Sequence, residues 1–192
     1  ALLVNQPGGY GAMGLYTAAT QWRTAILFLP GTLGAVALPM MASYKGAGDE
    51  RSFRRVLGLS VVLNGGVALA LAFVLVLGSK LVLAAYGKAF EQGQFVFVVV
   101  ALSGAIIAVN NALSRTLASQ GDMKADCAFH LAWGLSCLGL GMVLIPRFGA
   151  DGLAVATLLA ALLQGTCQWA YLFRRRFGTS ADGQATREVL QS

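Results

Sequence analysis

Between Met13 and Phe173 the sequence passes through five apolar stretches joined by short polar connections, and each stretch is long enough to cross a bilayer. A helix needs roughly 20 apolar residues for that crossing. Hydrocarbon offers no partner for a free N–H or C=O, so apolar runs of this length fold as helices. Composition agrees: 57% of the 192 residues are hydrophobic and 11% charged, against about 45–50% and about 25% in ordinary soluble domains. Twenty-four glycines suit helices that approach closely through small residues. The fold class expected is an all-α integral membrane protein, a polytopic bundle of about five transmembrane helices.

The spans run over about Met13–Ser43, Phe53–Leu77 (with an interfacial turn continuing to Tyr86), Gln94–Leu117, Cys127–Ile145 and Leu153–Phe173. "YKGAGDERS", "YGKAFEQG", "ASQGDMKAD" and "PRFGADG" connect them. Connections this short make successive helices antiparallel neighbours. Residues 1–12 read as an outer loop after the end of a truncated helix, 13–173 as the bundle, and 174–192 as a basic tail.

Basic residues set the orientation. Lys45, Arg51, Arg54, Arg55, Lys124, Arg174, Arg175, Arg176 and Arg187 fall on one side, and Lys80, Lys88 and Arg147 on the other. Cytoplasmic loops carry the excess of Lys and Arg, so the C-terminus is expected inside. The net charge of +6 therefore reflects topology, and no aromatic-basic surface points to nucleic acid. The start "ALLVNQPGG" lacks a signal-peptide pattern, and the chain reads as a fragment whose earlier helices are missing.

Polar residues inside the spans are the candidates for function. Arg23 follows Gln21 and Trp22 in the first span. A cation at mid-helix costs about 2.5–3.5 kcal/mol on insertion scales. Arg23 therefore either snorkels to the headgroups or lines a watered cavity and meets an anion. Pro30 and Pro39 interrupt the same helix; each removes a donor and strains the preceding turn. They mark a helix that bends during transport or one kinked for packing.

In "NNALSR", Asn111 and Arg115 stand one turn apart, with Asn110 and Ser114 beside them. The asparagines either bond a neighbouring helix or line a cavity; Arg115, near the cytoplasmic end, reads first as an anchor. Asn64, beside two glycines, has the same two readings. Gln164 and Gln168 share a face with Ala161 and Gly165, a small-xxx-small pair. His130 has Asp126 four residues before it. Cys127, Cys137 and Cys167 read as small packing residues. No nucleophile–base set, phosphate loop or metal-ligand cluster can be assembled. An enzyme, a metal site and a cofactor are not expected.

"GGYGAMGLYTAATQWRTAILFLPGTLGAVALPMMASYKGAG" resembles the segment that begins at the seventh helix's outer loop in polysaccharide (O-antigen) flippases. These belong to the multidrug/oligosaccharidyl-lipid/polysaccharide exporter superfamily. "YGKAFEQG", "NNALSRTLASQGDMK" and "GADGLAVATLLA" are similar to later parts of such chains, so the resemblance covers about Leu2–Phe173. It implies helices eight to twelve of a two-bundle transporter in the bacterial inner membrane, with the first bundle absent. It further implies a lipid-linked oligosaccharide substrate, bound among membrane lipids, and a first helix whose Arg23 and prolines face the transport path. Competing readings are a multidrug cation antiporter of the same superfamily, a membrane-embedded glycan polymerase or transferase, and a structural subunit. The antiporter usually needs an intramembrane acid, which these spans lack. The polymerase or transferase should show a large outer loop or an acidic cytosolic motif, and every loop here is short.

Overall fold

A computed structural model describes the backbone of residues 3, 9–87, 90 and 93–191, and side chains among these as far as Arg174. Lys88, the "NQPG" stretch before Gly9, and the side chains of Arg175, Arg176 and Arg187 lie outside the described set. Five helices follow in order: α1 Gly9–Gly46, α2 Glu50–Leu77, α3 Ser79–Tyr86, α4 Gln94–Ser119 and α5 Met123–Gln191. The all-helical membrane fold read from the apolar runs is what the structure shows.

α1 runs unbroken through Pro30 and Pro39. Its 38 residues rise about 57 Å at about 1.5 Å each, well beyond the roughly 30 Å hydrocarbon. Asp49 caps α2 by accepting a bond from the Ser52 amide at 3.0 Å. Its carboxyl is held below the ordinary value by Ser52, first through the side chain and then through the backbone. The cap is therefore complete at neutral pH and is lost as pH falls through that depressed value. α3 is the short turn expected after the second span.

The fourth and fifth spans form one assigned helix, α5, and the connection "PRFGADG" shrinks to a break at Gly149. Gly149 has φ 59° and ψ −126°, a combination that only glycine adopts without strain. The chain folds back there. Phe129 on the first arm meets Tyr171 on the second with ring centroids 5.6 Å apart. The Tyr171 hydroxyl also donates to Asp122 at 2.7 Å. Only an antiparallel hairpin brings those positions together.

α4 is the axle. In its most apolar stretch 67% of residues are buried, against 22% in α1 and 28% in α2, so it alone is surrounded. Ala101, Ala105 and Ala108 of α4 pack against Ala68 and Ala72 of α2 and Ile26 of α1. Residues this small let the backbones close without a large side chain between them. The outer faces carry Phe28, Val36, Val62, Phe73, Leu135 and Met142, all exposed. An apolar exterior of this extent suits contact with lipid or with further membrane helices.

Candidate functional site

Two arginines are exchanged across the α1–α4 seam. Arg23 of α1 lays its stem over Gly104 of α4; a methyl there would stand 3.0 Å from the Arg23 Cγ. Arg115 of α4 lays its guanidinium over Gly34 of α1, where an added Cβ would overlap it outright. The partners are offset equally, 23 to 104 and 34 to 115, so the helices run parallel and in register. Eleven residues separate the two contacts on either helix, about 16 Å at about 1.5 Å per residue. In each guanidinium Nη1 is buried and without a hydrogen-bond partner. Both arginine residues are half-buried.

A guanidinium has five donors in a fixed fork and no acceptor. A buried donor left unmade costs about 1–3 kcal/mol, and more on a charged group. Two such donors on one seam are unspent capacity for an anion. Arg115, read first as an anchor at the helix end, instead turns inward onto α1. Gly34, after Pro30, reads in the sequence as close-packing or bending capacity, whereas Gly104 has no signal beyond being a glycine on the buried face of its helix.

The other candidates form a second seam, between α4 and α5. Asn110, almost fully buried, donates to the Ala161 carbonyl at 2.8 Å. Its Oδ1 lies where a methyl on Gly165 would go. Gln168, fully buried, donates to the Ser114 hydroxyl at 3.1 Å and keeps Oε1 unpartnered. Gln164 is buried on the same face. Asn110 and Ser114 thus share one face of α4, and Asn111 and Arg115 the adjoining one. Asn64, buried in α2, donates to the Ser60 carbonyl at 2.6 Å and leaves its Oδ1 unmatched.

Several expected groupings do not form. Pro30 is buried and faces α4 with Ile26 and Gly34, whereas Pro39, nine residues on, is exposed on the opposite side. The two prolines lie on opposite faces of α1. Gln21 is exposed and accepts a 3.4 Å bond from the Tyr86 hydroxyl at the end of α3, which places it away from the seam. Cys127 and Cys167 are exposed rather than packed inside, and all three cysteines are free. His130 pairs with Asp126 as its spacing implies, at 3.6 Å to the carboxylate and 3.0 Å to the carbonyl. No cluster of metal-ligating side chains occurs among the described residues.

No family model matches the sequence. The chain is 30% identical to the "EPS I polysaccharide export inner membrane protein EpsE" of Ralstonia nicotianae, over 74% of this chain and 36% of that protein. It is 29% identical to the protein of the same name from Ralstonia solanacearum, over 81% of this chain and again 36% of the relative. The chain thus spans little more than a third of the curated relatives it matches. Its fold is that of a solved MATE structure, determined in complex with MaD5. The TM-score is 0.77 at 22% identity, over 89% of this chain and 39% of that one. These matches fit a membrane protein that is not an enzyme.

Proposed function

We propose that this chain is one bundle of an inner-membrane flippase, among the polysaccharide exporters of the multidrug/oligosaccharidyl-lipid/polysaccharide exporter superfamily. The whole protein would carry lipid-linked oligosaccharides across the membrane by alternating access, this bundle working against a second one. The C-terminus lies in the cytoplasm, on the side of the positive loops. The observation that carries the reading is the pair of half-free guanidiniums on the α1–α4 seam. The pyrophosphate of a lipid-linked glycan offers oxygens spaced for an arginine fork, and amide-bearing side chains suit its sugars. The names of the relatives support polysaccharide export, and the shared fold supports a transporter.

Arg23 gives the test. Losing a charge-assisted hydrogen bond costs about 1.5–3 kcal/mol, so Arg23→Ala in the full-length protein cuts export of surface glycan by about ten-fold or more. Arg23→Lys keeps the charge but loses the fork and retains part of the activity. Arg23→Glu abolishes it. Export is normalised to membrane abundance. Wild-type export from Arg23→Glu would end the reading.

A further inference from the structure

At the end of the bundle that carries the positive loops, α2 and the second arm of α5 stand apart over α4. The gap is a groove of about 710 Å³, within the roughly 300–1,000 Å³ range of ligand sites. It is separate from both polar seams; none of the candidate transport residues lines it. Its floor is Leu113 and Thr116 of α4, its walls are Leu57 and Val61 on one side and Trp169 on the other, and Lys45, Glu50 and Arg54 line its mouth.

The charges at that mouth are unequal. Lys45 pairs with Glu50 and lies 5.7 Å from the Phe53 ring centre, so those two charges offset each other. Arg54 is exposed and has no ion-pair partner among the described residues. One cation is left over at the rim of an apolar slot whose walls are membrane helices. A basic pocket of this kind between spans fits a lipid headgroup. A tryptophan near the headgroup level suits the same boundary.

We propose that this groove binds an anionic phospholipid of the adjacent leaflet, with its phosphate on Arg54 and an acyl chain laid along Leu57, Val61, Leu113 and Trp169. The uncompensated charge selects an anionic headgroup over a zwitterionic one, and the apolar walls hold the chain. Gly58 lines the groove, and a Cβ there would meet nothing within 4 Å. A side chain begun at that position therefore starts in open space, and a large one takes up room in the slot.

The experiment uses the full-length protein in detergent, exposed to equal amounts of dioleoyl-phosphatidylglycerol and dioleoyl-phosphatidylcholine, with retained lipid counted by native mass spectrometry. The wild type retains phosphatidylglycerol in preference. Arg54→Gln lowers that preference about five-fold, the factor for one basic residue near a charged surface, while still retaining lipid. Gly58→Phe loses both lipids. Arg55→Gln, a neighbouring cation that does not line the groove, leaves the preference unchanged. Three results overturn the proposal: no lipid retained by the wild type, as when another part of the full protein covers the groove; equal effects of Arg54→Gln and Arg55→Gln; or wild-type retention by Gly58→Phe.

Discussion

At the scale of single residues, Gly34 and Arg115 act as one unit. The atoms a methyl on Gly34 would meet are the far end of a flexible side chain, so Gly34→Ala evicts the guanidinium at little cost to the fold. The variant keeps wild-type abundance yet exports as poorly as Arg115→Gln. The double variant is no worse than either single one, because both changes remove the same seated guanidinium. Additive losses in glycan export would show that the two residues work separately. None of this pairing was legible in the sequence. Arg115 stood out as a charge in an apolar run, but its partner lies on another helix and is chosen by packing register. Asn110 and Gln168 were legible as polar residues on helix faces; their bonds to Ala161 and Ser114 depend on the same kind of unseen register.

At the scale of elements, the spans were readable because hydrocarbon leaves the backbone one solution, and apolar length reports it directly. What misled was the reversal between the last two. "PRFGADG" reads as a loop of several residues, whereas the turn is made at Gly149 alone, between helical neighbours. A positive φ has no composition signature beyond the glycine itself. Gly149→Ala forces an L-residue into that region at about 1–3 kcal/mol, and it lowers the melting temperature of the purified protein by a few degrees. An unchanged melting curve would mean that the hairpin turns elsewhere. The prolines separate on the same scale. Pro30 sits in the α1–α4 contact and Pro39 on the outside, so Pro30→Ala slows export at matched abundance and Pro39→Ala has the smaller effect. Equal export from Pro30→Ala and the wild type would make Pro30 a packing residue only.

At the scale of the whole molecule, the proposed orientation rests on the excess of Lys and Arg in one set of loops. In a background without Cys127, Cys137 and Cys167, cysteine at position 54 or 124 resists a label applied from the periplasm, and cysteine at position 80 accepts it. The reverse pattern would invert the bundle. The reciprocal seating of Arg23 and Arg115 bears on how such a bundle moves. Each side chain is a peg in the other helix's notch, and the pegs point in opposite directions across the seam. Sliding α1 along α4 by a single turn would unseat both at once, whereas tilting the pair together disturbs neither. Axial sliding is thus coupled to the displacement of two side chains at once, and tilting the pair is the motion that displaces neither.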